Sequence, residues 1–172
     1  MSSEPKILIK HRDIENAIDR LAVEIRRDYK DKNPLFIAIL KGSFIFISDL
    51  VRKLDMPLEV DFVRLSSYGS NKESSGEVKV ITPIKESVKG RHVLIVEDII
   101  DSGITMSYFI DYLKQQNPLS VRLCALTDKP SRRKTDIKID YLGFSVPDKF
   151  VVGYGIDWDE KFRYLPDICY IE

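Results

Sequence analysis

Apolar residues recur along this chain in two rhythms, one helical and one extended. Ile14, Ala17, Ile18, Leu21, Ala22 and Ile25 fall three and four apart, the spacing that lines one face of an α-helix. The helix they predict has Asp13 as its candidate N-cap and reaches about Asp31, where Lys32-Asn33-Pro34 ends it. Leu35 to Leu40 is an unbroken apolar run of strand length. After Lys41-Gly42-Ser43, a second helical face is carried by Phe44, Ile47, Leu50, Val51 and Leu54. Beyond the break at Pro57, Glu59 to Ser66 reads as a strand through Val60, Phe62 and Leu65. Residues 67–76 are polar, rich in small residues and aperiodic, which fits an exposed hairpin loop or a lid. Strand character resumes at Val78 to Ile81, and Lys89-Gly90 marks a further turn.

The most informative stretch follows. Val93-Leu94-Ile95-Val96 runs into Glu97 and Asp98, then Ile99-Ile100, a third acid at Asp101, and Ser102-Gly103-Ile104-Thr105. Met106, Phe109, Ile110 and Leu113 then recur at helical spacing as far as Asn117-Pro118. A buried strand, a loop and a helix are predicted, with the chemistry at the carboxyl end of the strand, where open α/β sheets bind ligands. Ser120 to Leu126, Ile137 to Phe144, Phe150 to Tyr154 and Ile168 to Ile171 complete the strand candidates. This order favours an α/β fold with a mainly parallel central sheet in a single domain spanning residues 1–172.

Backbone amides at a helix N-terminus, with the hydroxyls of Ser102 and Thr105, make a phosphate cradle. Acids beside such a cradle repel a phosphate unless a cation mediates, and Mg²⁺ is suited to that task. Asp101 or Ser102 could instead serve as a plain N-cap. Neither the Gly-Lys-Ser/Thr ending of a Walker loop nor a G-x-G-x-x-G fingerprint is present.

Lys plus Arg and Asp plus Glu number 27 each among 172 residues, so no global field recommends nucleic acid as a partner. Lys129, Arg132, Arg133 and Lys134 nonetheless form a local basic run. Cys124 and Cys169 lie apart in apolar surroundings and read as buried free thiols. The amino terminus lacks a basic region followed by a long apolar stretch, and no apolar run could span a bilayer. A cytoplasmic protein is expected.

Val93 to Thr105 resembles the phosphoribosyl-pyrophosphate (PRPP) motif of type I phosphoribosyltransferases. Leu40-Lys41-Gly42-Ser43, Ser67-Tyr68-Gly69, Lys129, the run Val146 to Tyr154, Asp157 and Arg163 occur in order and resemble the 6-oxopurine branch of that family. The resemblance covers nearly the whole chain. It implies a twisted, mainly parallel sheet flanked by helices, a small hood built from the chain termini, and a mobile loop over about 66–78.

For the residues, the resemblance implies that Ser102, Gly103, Ile104 and Thr105 hold the 5′-phosphate. Some family members carry a polar residue at the position of Ile104, but main-chain contacts do not depend on that side chain. Glu97 and Asp98 are implied to serve the ribose hydroxyls and Mg²⁺, and Asp157 to be a further metal ligand beside the purine. Asp101 is implied to act as general acid/base near purine N7, and Lys129 to donate to O6. Phe150 is implied to stack on the purine, with Val151 offering backbone groups. Lys41-Gly42 and Arg163 are implied to contact pyrophosphate, with a non-proline cis peptide at Leu40–Lys41. Ser67 and Tyr68 are implied to belong to a lid that keeps water from the reacting sugar. The partners implied are PRPP, a 6-oxopurine base and further copies of the chain, as homodimer or homotetramer. Relatives of this fold that bind nucleotides as regulators and contact RNA or DNA are the competing class.

Overall fold

The computed structural model describes residues 4–67 and 78–172. Tyr68 and most of the expected lid lie outside the described residues; Ser67 closes a strand.

Helix α1 (His11–Tyr29) buries Ile14, Ala17, Ile18, Leu21, Ala22, Ile25 and Tyr29, the face anticipated from the sequence. It starts three residues earlier than expected. Lys10 is the N-cap, and Asp13 lies in the first turn. The first-turn amide of His11 donates instead to Asp167 Oδ1 at 2.7 Å, so a distant acid satisfies an end that a local side chain was expected to cap. Strand β1 (Lys6–Ile9), which the apolar pattern did not reveal, precedes it.

Strand β2 (Leu35–Leu40) is followed by helix α2 (Phe44–Leu54). Here the expected face is partly wrong: Phe46 is buried and Phe44 exposed, since the helix seats Phe46, Ile47, Leu50 and Leu54 on the sheet. Strands β3 (Glu59–Ser67), β4 (Val78–Thr82) and β5 (His92–Ile100) precede helix α3 (Ile104–Lys114) and strand β6 (Ser120–Asp128). A 3-10 turn at Pro130–Arg132 leads to β7 (Tyr141–Ser145), which is shorter than the strand expected from Ile137. Strand β8 (Phe150–Val152) stops where Gly153, Tyr154 and Gly155 all take positive φ, before the expected end at Tyr154. Strand β9 (Ile168–Ile171) closes the chain.

The main sheet runs β4-β3-β2-β5-β6-β7, and only β4 pairs antiparallel. Alternation along the strands sorts the core into two layers. Phe36, Ala38, Leu94 and Val96 pack with α1 and α2 on one face. Leu35, Ile37, Val93 and Ile95 pack with Phe109 and Leu113 of α3 on the other. From β2 the chain crosses through α2 to β3, while from β5 it crosses through α3 to β6 on the opposite side. The carboxyl ends of β2 and β5 therefore meet at the point where strand order reverses, the natural crevice of such sheets. Both chain ends form a second sheet, β1-β9-β8, wholly antiparallel. Ile168 and Val151 anchor it to the α1–α2 side of the core.

Candidate active site

Glu97 and Asp98 lie within β5, not beyond it: the ladder to β6 continues through Ile99↔Thr127 and Ile100↔Asp128. Neighbouring strand residues alternate in direction, so the two acids serve different sides. Asp98 is buried against the loop after β2, where a Cβ built on Gly42 would lie 1.9 Å from Asp98 Oδ2. Only a glycine lets that loop approach. Glu97 Oε1 accepts from the Asp98 amide at 3.0 Å. Burial, followed by the charge of Asp98, pushes the Glu97 acid well above the usual carboxylate range.

Glu97 also lines a cleft of about 210 Å³ with Ile100, Asp101, Ser102, Gly103 and Thr105. Gly103, at φ 82°, is the N-cap of α3, and neither Asp101 nor Ser102 fills that place. Ser102 instead accepts from the Ile104 amide through Oγ at 3.4 Å. The loop is held from behind: the Lys134 amide donates to Ser102 O at 2.8 Å, and a Cβ on Gly103 would meet Thr135 Oγ1 at 2.5 Å. First-turn amides of a helix have no intrahelical acceptor, and Gly103 and Thr105 line the cleft beside them.

Beyond β6, Lys129 is buried, and its amide donates to Ile100 O at 2.9 Å. Its Nζ lies 3.8 Å from Asp101 Oδ2, so a solvated loop lysine is excluded. Asp101 also accepts from Arg132 Nε at 2.6 Å, and Arg132 Nη1 lies 3.5 Å from Asp148, two residues before Phe150. Arg133 pairs with Asp128. Three of the four residues of the basic run thus pair with acids. Phe150 is half-exposed, edge-on to Trp158 at 6.2 Å, and Trp158 stacks on Phe162. Val151 is buried and pairs with Tyr170.

The third side is built by two touching loops. The Leu40–Lys41 peptide is cis, as anticipated. A Cβ on Gly155 would meet Gly42 O at 2.5 Å, so the loop after β8 rests on the loop after β2. Across this junction Lys41 Nζ reaches Glu160 Oε1 at 2.7 Å. Arg163 donates to Gly155 O at 2.8 Å and pairs with Asp157 at 2.9 Å and Glu160 at 3.2 Å.

Asp101 and Lys129 are therefore brought together, as are Asp98, Lys41-Gly42, Asp157 and Arg163 around the glycine junction. Glu97, Asp98 and Asp157 do not converge as a cage, and no group of three or more acid, His or Cys side chains placed to hold a metal occurs among the described residues. Both Asp157 oxygens are engaged, Oδ1 by Arg163 and Oδ2 by the Glu160 amide at 2.8 Å. Two contacts escaped the sequence reading. Glu160 stands three residues before Arg163, and Arg132 three after Lys129. Their partners, Lys41 and Asp101, stand 119 and 31 residues away in the chain, so the local sequence carried no signal for them.

Residues 6–159 match the phosphoribosyl transferase domain. The chain belongs to the phosphoribosyltransferase family. It is 48% identical over 163 residues to the hypoxanthine-guanine phosphoribosyltransferase of Bacillus subtilis, covering 95% of this chain and 91% of that one. Among solved phosphoribosyltransferases, a hypoxanthine-guanine enzyme from Bacillus anthracis superimposes with a TM-score of 0.93 at 42% identity, covering 98% of this chain and 100% of that one. A hypoxanthine phosphoribosyltransferase from Staphylococcus aureus gives 0.93 at 40% identity, covering 97% and 91%. The mainly parallel sheet of this phosphoribosyltransferase chain, with helices on both faces, is thus a family fold.

Proposed function

We propose that this chain is a purine-salvage hypoxanthine-guanine phosphoribosyltransferase. With Mg²⁺, it transfers the 5-phosphoribosyl group of PRPP to N9 of hypoxanthine or guanine, giving IMP or GMP and pyrophosphate. The observation that carries this reading is the 3.8 Å pair of Asp101 with buried Lys129 beside the cleft at the start of α3. An acid and a three-proton donor stand there at the ends of neighbouring strands, next to a phosphate cradle.

The 5′-phosphate sits on Ser102, Gly103, Ile104 and Thr105, chiefly on main-chain amides. Glu97 and Asp98 take the ribose hydroxyls. Phe150 stacks on the purine, Val151 lends backbone groups to its edge, and Lys129 donates to O6, a contact that selects 6-oxo over 6-amino purines. The C1′–pyrophosphate bond breaks as the N9–C1′ bond forms, through a sugar with oxocarbenium character. Lys41, Gly42 and Arg163 stabilise the departing pyrophosphate, and Asp101 handles the purine proton at N7. Ser67 and Tyr68 belong to the lid that shields the sugar from water.

Glu97, Asp98 and Asp157 would hold Mg²⁺ together with substrate oxygens and water, which fits an ion that prefers few carboxylates and an incomplete protein shell. Bound with PRPP, Mg²⁺ supplies charge neutralisation on the leaving pyrophosphate.

The enzyme works in the cytoplasm as a homodimer or homotetramer. In support, no helix among the described residues is long and apolar enough to cross a membrane, and Val60 and Phe62 leave alternate positions of β3 exposed. The test is Mg²⁺-dependent pyrophosphate release from PRPP with hypoxanthine, guanine, xanthine or adenine. Turnover with hypoxanthine and guanine but not adenine is expected. Pyrophosphate release that ignores the purine overturns the reading.

A further inference from the structure

Lys41 and Arg163, the two cations on the leaving-group side of the site, share one exposed acid. Glu160 places Oε1 2.7 Å from Lys41 Nζ and Oε2 3.2 Å from Arg163 Nη2. One carboxylate thus gives each of its oxygens to a different cation, the way two oxygens of a phosphate would be divided.

The remaining partners of Arg163 are fixtures. Nη1 donates to Gly155 O at 2.8 Å, in the loop wedged against Gly42, and Asp157 Oδ1 lies 2.9 Å from Nη2. Nε is buried with no hydrogen-bond partner among the described residues, so this guanidinium keeps an unanswered donor there. Glu160 is the replaceable partner. Its side chain is 63% exposed, against 29% for Asp157. Its backbone stands at φ 60°, following Asp159 at φ 52°, a left-handed turn that side chains other than glycine seldom adopt. The Glu160 amide closes that turn on Asp157 Oδ2.

We infer that Glu160 is a resident stand-in for pyrophosphate, a positioning residue that holds Lys41 and Arg163 at anion-binding separation until a diphosphate displaces it. This rests on the phosphoribosyltransferase reading of those two cations. Two cations on separate loops repel each other, and the shared Glu160 carboxylate keeps them together at modest strength. A diphosphate carries several charges and more acceptor oxygens, so the exchange runs toward substrate. When pyrophosphate leaves, the carboxylate returns, which keeps product from being held too tightly.

The test compares wild type with Glu160→Gln, which keeps shape and removes the charge. Binding of pyrophosphate with Mg²⁺ is measured by calorimetry, and KM for PRPP and kcat are measured separately. Pyrophosphate is expected to bind the variant about three- to tenfold tighter, the factor by which a competitor occupying a site most of the time lowers apparent affinity. KM for PRPP falls with it, and kcat does not rise. If the variant binds pyrophosphate equally or more weakly, Glu160 is a strut and the stand-in role is wrong. If wild type neither binds pyrophosphate nor turns over PRPP with a purine, the assignment of the two cations fails, and the stand-in fails with it. Glu160→Asp separates charge from reach: it retains wild-type affinity if the anion is what competes.

Discussion

Arg132 Nε donates to Asp101 Oδ1 at 2.6 Å, and buried Lys129 approaches the other oxygen of the same carboxylate at 3.8 Å. The free chain therefore keeps its proposed acid/base clasped by two cations of different character. Lys129 is locked in place, whereas the Arg132 and Asp101 side chains are 51% and 44% exposed. Exposed pairs of this kind hold weakly and are screened by salt. The purine can open the Arg132 half at little cost.

Asp101→Asn is expected to lower kcat/KM for hypoxanthine by about 10²–10⁴-fold, the usual worth of a positioned acid/base. Arg132→Gln is expected to change it by less than about tenfold, since it removes only the weak partner. Steady-state kinetics of both variants under one set of conditions decide the matter. Equal losses would move the role from Asp101 to the pair.

Gly42 offers a sharper steric test. The Cβ of Gly42→Ala would lie 1.9 Å from Oδ2 of buried Asp98, which has little room to retreat. Overpacking of this kind costs about 1–3 kcal/mol, and because Asp98 belongs to the site, activity is expected to fall at least about tenfold as well. Gly90→Ala is the comparison. Gly90 has open space but φ 70°, so its cost is about 1–2 kcal/mol of backbone strain. It precedes β5, at the end of that strand away from the acids, and activity should survive. Urea midpoints together with kcat/KM separate the two outcomes.

What could be read from the sequence, and what could not, divides along physical lines. Continuous apolar strands and amphipathic helices announce themselves locally, so α1, β2, β5, α3 and the Glu97–Thr105 chemistry were legible. The FIFI run of α2 was ambiguous because Phe44 and Phe46 are equally apolar, and only contact with the sheet selects Phe46. Ile137 and Ile139 alternate like a strand, yet the Ile137 amide closes a turn on Thr135 O, and both side chains pack toward α3. Strand β1 is four residues long and two of them are exposed, so periodicity had nothing to detect. Its pairing with β9, at the other end of the chain, creates it. The Arg132–Asp101 and Lys41–Glu160 contacts join separate loops and exist only once the sheet has placed those loops side by side.

A pH test follows from Asp28 and Tyr141, at the end of the sheet away from the site. The Tyr141 hydroxyl donates to Asp28 Oδ2 at 2.7 Å. That bond, with Arg27 and Arg122 adding to it, holds the Asp28 acid below its ordinary 3.8. The stabilisation is complete above 3.8 and is lost as pH falls through the lower folded value. Burial, and then Asp28, raises the Tyr141 phenol above its ordinary 10.0, so its contribution is complete below 10.0 and fades as pH climbs past it. Tyr141→Phe should cost about 1.5–3 kcal/mol near neutrality and flatten both limbs. Urea midpoints at about pH 3, 7 and 10.5 would show it, the outer two lying just beyond the ordinary values of the two groups, where their contributions have begun to fade.

Lys129→Met tests how the purine is chosen. The substitution keeps the length of the side chain in its buried site and removes every donor. A hydrogen bond involving a charged group is worth about 1.5–3 kcal/mol, so kcat/KM for hypoxanthine should fall about 10–150-fold. Adenine behaves differently. Its 6-amino group faces a donor in the wild type and an indifferent methyl in the variant, so its own kcat/KM should hold or rise. The ratio between the two bases is therefore the diagnostic, not the loss with hypoxanthine alone. A thermal melt guards against misreading a folding defect, because removing Lys129 also leaves Asp101 with only its exposed partner. If hypoxanthine and adenine fall in proportion in a folded variant, Lys129 supports Asp101 without reading O6, and selectivity must come from the backbone beside Val151.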